Sequence, residues 1–189
     1  MQDAFQRISS AQAMDLILQG QPLRNFYVEG NVDLHENEKK LNHRLFIEQC
    51  TIENLIGLSV EFKHSVTLVA SSIRKCSFNY AYFFDGLTID NCSFNSYVDF
   101  EAGGHNNRPI LIKNSTFSEF VNFFDCWFHG EVIVVNNHFP KGTNLMGNLT
   151  DMGGVEFVVP PVIENNTGSI DLDGDGDRPV NIINLLKFD

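Results

Sequence analysis

The sequence is poor in positive charge. It has 13 lysine and arginine residues against 24 aspartate and glutamate residues, which gives a formal net charge of −11 at pH 7. Nonspecific binding to nucleic acid needs cations that displace the counterions of phosphate groups. The composition therefore argues against a nucleic-acid partner, and it is compatible with a basic protein partner.

Long apolar runs and paired cysteines are also missing. No window is long and apolar enough to span a bilayer, and the N-terminus lacks the basic and apolar regions of a secretory signal. We therefore expect a cytoplasmic protein that does not bind membranes. The cysteines form no CxxC pair and do not predict a zinc site. They are Cys50, Cys76, Cys92 and Cys126.

What the sequence has is a repeat. The segment "TIDNCSF" (88–94) resembles "FIEQCTI" (46–52), "LIKNSTF" (111–117) and "IVVNNHF" (133–139). The last position of each unit recurs after 21, 21, 23 and 22 residues. These anchor residues are Ile52, Ile73, Phe94, Phe117 and Phe139. A recurring period of this length predicts a solenoid.

Positions before each anchor indicate how one turn is built. Seven and five residues before it stand apolar pairs such as Leu87 and Ile89, which predict a short strand with one buried face. Three residues before it comes a row rich in asparagine, which tolerates left-handed turn geometry, namely Gln49, Ala70, Asn91, Asn114 and Asn136. Two residues before it comes a row of small side chains that we expect to point inward, namely Cys50, Ser71, Cys92, Ser115 and Asn137.

A second phenylalanine pattern occurs in the other half of each unit. The segments "SVEFKH" (59–64), "AYFFD" (81–85), "VDFEA" (98–102) and "VNFFD" (121–125) can be aligned on their phenylalanines. This alignment predicts one inward column of Phe62, Phe83, Phe100 and Phe123. The fold class that follows is an all-β solenoid of about six to seven coils of 21–23 residues, which resembles the right-handed parallel β-helix.

The "C-S-F" and "S-T-F" corners, the phenylalanine columns and the opening "FYVEGNVDL" (26–34) resemble the pentapeptide-repeat proteins, which are right-handed parallel β-helices. The resemblance covers residues 26–170. It is to a degenerate relative, because regular members have units of about five residues in coils of about twenty. Some members of that family are acidic rods that imitate DNA toward topoisomerases.

The ends of a solenoid need caps, because an open end exposes core and unpaired strand edges. Ser9 or Ser10 can begin a capping helix, Met14, Ile17 and Leu18 share one of its faces, and Gly20 ends it. The predicted organisation is a helical cap (1–25), a β-helix (26–170) with insertions near 35–44, 103–109 and 140–160, and a C-terminal acidic turn with a final strand or lid (171–189).

Aromatic and acidic residues flank the aligned phenylalanines and predict an outward binding face. Exposed aromatic anchors inside a ring of charge are typical of protein interfaces. The face comprises Glu61, Tyr82, Phe84, Asp85, Asp99, Glu101, Phe124, Asp125 and Trp127. The alternative is that an inserted loop or the C-terminal segment covers these side chains. A second, apolar column of Leu111, Ile133 and Val135 could receive the C-terminal segment or a second copy of the chain, as in a homo-oligomer.

The sequence also contains a candidate catalytic pair and a candidate metal site. Asp85 and Asp125 align in this register and would stand about 10 Å apart if two coils separate them, near the upper limit for an inverting glycosidase pair. Asp171, Asp173 and Asp175 in "DLDGDGD" (171–177) match the start of an EF-hand loop, a candidate calcium site. Position 12 of that loop is Ile182, where a bidentate carboxylate is needed.

We therefore expect a non-enzymatic bacterial protein that presents an acidic, aromatic face to a protein partner and needs no cofactor. Imitation of DNA and neutralisation of a toxin are two versions of this function. The alternative function is a carbohydrate-active or glycan-binding β-helix, with Asp85 and Asp125 in a surface cleft and Trp127 as a stacking platform.

Overall fold

The backbone forms a parallel β-solenoid of about six turns, as the repeat predicts. A computed structural model describes residues 5–35, 40–148 and 153–178. Strands dominate these residues, and one short helix lies near the N-terminus. Within the described residues, no helix has the length and apolarity of a membrane span.

The helix α1 (Ser10–Leu18) follows the first strand. The strands in chain order are β1 (Gln6–Ser9), β2 (Leu23–Arg24), β3 (Phe26–Asp33), β4 (Lys40–Leu41), β5 (Leu45–Glu48), β6 (Thr51–Ile56), β7 (Glu61–Phe62), β8 (Val66–Val69), β9 (Ser72–Ser77), β10 (Tyr82–Phe83), β11 (Leu87–Asp90), β12 (Ser93–Phe94), β13 (Val98–Asp99), β14 (Ile110–Lys113), β15 (Thr116–Phe117), β16 (Val121–Asn122), β17 (Trp127–Phe128), β18 (Val132–Val135), β19 (Glu156–Phe157) and β20 (Val162–Glu164).

Each turn has four sides, and equivalent strands of successive turns pair in parallel. Side 1 is the sheet β2-β5-β8-β11-β14-β18-β20. Side 2 contains the first halves of β3, β6 and β9, continued by β12 and β15. Side 3 contains the second halves of the same three strands, continued by β13 and β16. Side 4 contains β4, β7 and β10, then Gly104, then β17 and β19.

The predicted register of side 1 and of the anchor residues is confirmed. Leu87 pairs with Val66 below and Ile110 above, so the apolar pairs of side 1 stack in columns. The anchors stack on side 2, where the rings of Phe94 and Phe117 are 4.8 Å apart and parallel within 2°. This distance is the strand spacing itself, so the rings follow the backbone ladder.

The core consists of pairs of inward side chains two residues apart, one pair on each side of a turn. In the turn from Ser71 to Ile89 the second members follow each other after five, five and six residues. In the first three pairs a small residue precedes a large one. The buried pairs are Ser71/Ile73, Cys76/Phe78, Ala81/Phe83 and Leu87/Ile89.

The corner between sides 1 and 2 has the left-handed backbone that the sequence predicts. In the predicted row φ lies between 49° and 58°, and Asn25 and Asn165 extend the row at both ends. The small residues that follow are all buried and bond from turn to turn. The Ser71 hydroxyl accepts from the Cys50 amide at 3.1 Å and donates to the Val69 carbonyl at 2.8 Å. These side chains satisfy backbone groups at a corner where the ladder is interrupted.

The N-terminal helix also follows its prediction. Ser9 caps α1 and forms a capping box with Gln12. Met14 and Ile17 are buried, and Gly20 has φ of 70° after the last turn. In addition, β1 pairs with β3, so part of the predicted cap belongs to the sheet.

The prediction that the four phenylalanines form a single column is wrong. Phe62 pairs with Phe83 on side 4, but Val98 pairs with Cys76 and with Val121, which puts Phe100 on side 3 with Phe78 and Phe123. The rings of Phe100 and Phe123 stack at 5.0 Å. Two columns on adjacent sides therefore fill the core.

Parts of the predicted insertions lie in the coil. Gly104 bridges Tyr82 to Trp127 on side 4, Thr143 bridges to Val121 on side 3, and β19 pairs with β17. Part of the 35–44 insertion and the predicted final strand fall outside the described residues.

The anchor column gives a stability test. Phe94→Asp should lower the free energy of unfolding by about 4 kcal/mol or more, because the ring leaves a cavity and the carboxylate cannot be solvated. Denaturant unfolding followed by circular dichroism measures this. Asn95→Asp adds the same charge at the next, exposed position and should change little. Equal stability of the two variants would contradict the register.

The left-handed corner gives a second test. Ala70→Val should destabilise by about 1–2 kcal/mol, because a β-branched side chain is strained at a φ of 49°. Thr67→Val, at an outward strand position of the same turn, is the control and should be nearly neutral. A valine tolerated equally at both positions would refute the left-handed corner.

Candidate functional site

The predicted binding face is divided between two sides of the solenoid. Tyr82, Phe84 and Trp127 lie on side 4, whereas Asp99 and Glu101 lie on side 3. The division follows from the corrected phenylalanine columns, because each outward residue moves with its inward neighbour. The two groups are therefore separate candidate surfaces.

Side 4 carries a continuous row of outward rings, which we call the aromatic strip. Its members are Tyr82, Phe84, His105, Trp127 and His129. The ring centres of Tyr82 and His105 are 4.2 Å apart, and His105 lies 6.1 Å from Trp127 and 5.3 Å from His129. Trp127 is 44% exposed.

A glycine occupies one position of the ladder that carries this row. Gly104 lies between Tyr82 and Trp127 in the ladder, and at its φ of 99° a Cβ would come within 2.5 Å of the Trp127 carbonyl oxygen. A residue with a side chain could not occupy this position without moving the backbone. The ring of the next residue, His105, lies between Tyr82 and Trp127.

Charged groups flank one end of the strip. The Lys63 ammonium lies 4.0 Å from the centre of the Phe84 ring and 2.7 Å from a Glu61 carboxylate oxygen. The hydrogen bond from Lys63 and the neighbouring Lys40 lower the pKa of Glu61. Partial burial and the nearby His129 lower the pKa of His105, which favours the neutral imidazole in the middle of the strip.

Asp85 and Asp125 lie at opposite ends of side 4. Asp125 occupies a left-handed corner, with φ of 56°, in the same column as Tyr80 and Ala102. Asp85 follows β10 at the other end of that side. Both are exposed, and the two carboxylates do not share a column as the sequence alignment predicted.

On side 3 the structure corrects the predicted position of Asp99. Its side chain is completely buried rather than exposed. The Asp99 carboxylate accepts hydrogen bonds from the side-chain amides of Asn79 and Asn122, both at 3.0 Å, and from the Glu101 amide at 3.1 Å. Arg178 donates a fourth hydrogen bond at 2.7 Å.

The acidic C-terminal segment explains this burial. Residues 171–178, which we call the C-terminal strap, cross the outside of side 3, and Arg178 pairs with both Asp99 and Glu101. The strap is attached by hydrogen bonds from the Asn144 side chain to the Gly174 carbonyl at 2.7 Å and from the Tyr97 hydroxyl to the Asp175 carbonyl at 2.6 Å. Burial raises the pKa of Glu101 despite the adjacent guanidinium.

Phe124 is only partly available to a partner. It is half-buried, and a Cβ at Gly153 would meet its ring at 1.9 Å, so the second half of the 140–160 segment packs directly on it. Phe84 is also half-buried and is covered in part by Lys63. Of the predicted aromatic anchors, Trp127 is the most open.

The three calcium candidates lie in the strap. A carboxylate oxygen of Asp173 accepts a hydrogen bond from the Asn148 amide at 2.9 Å. In the part of the chain that the structure describes, no group of three or more His, Cys, Asp or Glu side chains is arranged to hold a metal ion. Ile182 lies outside the described residues.

The four cysteines are buried, free thiols. Burial raises the pKa of Cys92 to about 11, and it also raises the pKa values of Cys50, Cys76 and Cys126. Protonated, enclosed thiols are poor nucleophiles. This agrees with the prediction that Cys50 and Cys92 are inward, structural residues.

Sequence reasoning missed His105, His129 and Arg178. The two histidines could have been found by counting from the anchors, which separates side 3 from side 4. Phe62 and Phe83 follow their anchors by ten residues, whereas Phe100 and Phe123 follow theirs by six. Nothing local indicated Arg178, whose partner Asp99 is 79 residues away.

Comparison with known proteins gives no match to this chain: no family model, curated protein or solved structure is significantly similar to it.

Calcium provides a test of the strap. We expect millimolar calcium to leave the melting temperature unchanged, because Ile182 occupies the bidentate position and Asp173 already binds a backbone amide. A ligand that binds only the native state would raise it. Differential scanning fluorimetry with magnesium as the control measures this. A calcium-specific rise that Asp173→Ala removes would prove the expectation wrong.

Proposed function

We propose that this chain is a non-enzymatic protein-binding solenoid whose working surface is the aromatic strip of side 4. The observation that carries the proposal is the row of contiguous, partly exposed rings around Trp127 on a rigid, hydrogen-bonded sheet. Large aromatic side chains at the centre of a patch contribute most of the binding free energy in many interfaces. A rigid scaffold lowers the entropy lost when such a patch is buried.

The surrounding charge supports a basic partner. Exposed carboxylates flank the strip at Asp85, Asp125 and Glu156, and the whole chain carries a net charge of −11. Charges at the rim of an interface mainly accelerate encounter with an oppositely charged protein. The carboxylates are mixed with aromatic rings and histidines. This mixture favours neutralisation of a basic protein, such as a toxin, over the imitation of DNA.

The spacing of the core residues supports kinship with the pentapeptide-repeat proteins. Inward residues stand in pairs on four sides, with a period of five or six residues, and in the turn from Ser71 to Ile89 a small residue precedes a large one on three of the four sides. A repeat unit of about five residues is the defining feature of that family. The longer coils arise where one side has an extra residue, as between Phe83 and Ile89.

The strip can be tested with Trp127→Ala. The indole is 44% exposed, so its removal should leave the melting temperature nearly unchanged. It should lower the affinity for a partner captured from the native host by about tenfold or more, because a central aromatic side chain contributes about 2 kcal/mol to binding. Phe46→Ala, a half-exposed ring on side 1, is the matched control. Affinity should also fall with added salt.

One outcome would contradict the role of the strip in binding. If Trp127→Ala and Phe46→Ala bind the partner equally well, the working surface does not include the strip. Trp127 is the only tryptophan in the sequence, so its fluorescence reports directly on this position. A partner that binds elsewhere should leave the emission maximum unshifted.

A glycan is the second candidate ligand. The exposed indole beside His105 could stack a sugar ring, and Asp85 and Asp125 at the two ends of the side could accept hydrogen bonds from its hydroxyls. Titration of Trp127 fluorescence with soluble oligosaccharides distinguishes the two functions. A saturable change with an oligosaccharide, lost in Asp85→Asn or Asp125→Asn, would favour the glycan over the protein partner.

A further inference from the structure

We propose that the surface beneath the C-terminal strap is a recognition site for an extended, arginine-bearing segment of a partner protein, and that the strap is a tethered occupant which this segment displaces. We call the site the arginine cradle; it comprises Asn79, Tyr97, Asp99, Glu101 and Phe120. It lies on side 3 and the preceding corner, away from the aromatic strip. The inference therefore does not depend on the function proposed for side 4.

The cradle has the chemistry that selects a guanidinium. Two carboxylates, Asp99 and Glu101, pair with the one cation of Arg178. Asp99 is held in place by three other hydrogen bonds, from Asn79, Asn122 and the Glu101 amide. A planar fork of donors fits fixed carboxylates better than the point charge of a lysine.

The rest of the cradle is an aromatic floor. The rings of Tyr97 and Phe120 stack with centres 6.1 Å apart and are 6% and 8% exposed while the strap covers them. Gly176 lies directly on the Phe120 ring, where a Cβ would come within 2.7 Å. The Tyr97 hydroxyl donates to the Asp175 carbonyl, so it binds backbone rather than a particular side chain. The fitting segment therefore has the form Gly-X-Arg.

The strap is a poor occupant of this site. It carries four aspartates and one arginine, and it lies on a surface that contains Asp99, Glu101 and Glu119. The negative charges of the strap and of the surface repel each other, which opposes binding of the strap.

Two buried polar atoms also stay unpaired within the described residues while the strap is bound, the Asn79 Oδ1 acceptor of the cradle and the Arg178 Nε donor of the strap. Each unpaired buried group costs about 1–3 kcal/mol. A segment without the aspartates that pairs Asn79 Oδ1 and leaves no donor of its own arginine unpaired would bind more tightly than the strap does.

Tethering lets such a poor ligand hold the site in the absence of a partner. A segment attached by a short linker acts at an effective concentration of about a millimolar. A free segment competes with the strap for the cradle. Its apparent affinity is therefore its intrinsic affinity multiplied by the fraction of molecules in which the cradle is open. The strap thus sets a threshold that acidic or neutral segments do not pass.

The test uses the full-length chain and fluorescent octapeptides whose binding is measured by anisotropy. The probe is the strap sequence with serine in place of its aspartates, SLSGSGSR. We expect the Arg178→Ala chain to bind this probe about tenfold or more tightly than the wild type, because the competing guanidinium is gone. The probe should bind more tightly than DLDGDGDR, and a probe ending in citrulline should not bind.

Two variants serve as controls. Arg108→Ala removes an exposed arginine at the corner between sides 4 and 1 and should behave as the wild type. Glu101→Gln in the Arg178→Ala background should remove the gain, because one of the two carboxylates is lost. If Arg178→Ala fails to fold, Arg178→Lys keeps a charge without the planar fork and should show a smaller gain.

Three outcomes overturn the proposal. The first is that neither Arg178 variant gains affinity for the probe. The second is a gain that persists with citrulline or with Glu101→Gln. The third is that the Arg178→Ala chain forms a dimer by light scattering and that the probe does not dissociate this dimer. A second copy of the chain would then be the occupant of the cradle.

Discussion

The parallel pairing of one turn with the next is the constraint on which the rest of this structure depends. A strand in a solenoid bonds only to its equivalents above and below, so each turn must return to the same position after four sides. The returns are made at corners, where the backbone adopts left-handed conformations and the ladder is interrupted. The corner residues therefore determine whether the turns stay in register.

Two chemical solutions satisfy this constraint between sides 1 and 2. Asn91, Asn114 and Asn136 tolerate the left-handed backbone. The residues that follow are small and inward, and Ser71 and Ser115 each accept a hydrogen bond from a backbone amide of the preceding turn. The same position explains why Cys50 and Cys92 belong to the core rather than to a redox or metal site. A cysteine or serine is small enough for the corner and can still bond to a neighbouring carbonyl.

The sequence was sufficient to predict sides 1 and 2 because both are local. The apolar pair of side 1, the left-handed residue and the anchor fall within eight residues, so the spacing is the same in every turn. The distance from the anchor to sides 3 and 4 varies, because turns gain residues at their later corners. That variation caused Phe100 to be aligned with Phe83 instead of Phe78, and it moved Asp99 and Glu101 to the wrong side. The burial of Asp99 by Arg178 was beyond prediction, because it depends on where a distant segment returns.

The strap has a mechanical consequence. Most contacts in this solenoid join neighbouring turns, so a chain pulled from one end would unwind turn by turn. The Arg178–Asp99 and Tyr97–Asp175 contacts instead join segments about eighty residues apart along the chain. A force applied at Arg178 is therefore carried first by its salt bridges to Asp99 and Glu101 and by the Tyr97–Asp175 hydrogen bond, which bypass the turns that they enclose. Until these contacts break, the enclosed turns bear no load and resist unwinding as a block. Their rupture would appear as a single early release of length, before the stepwise loss of the turns.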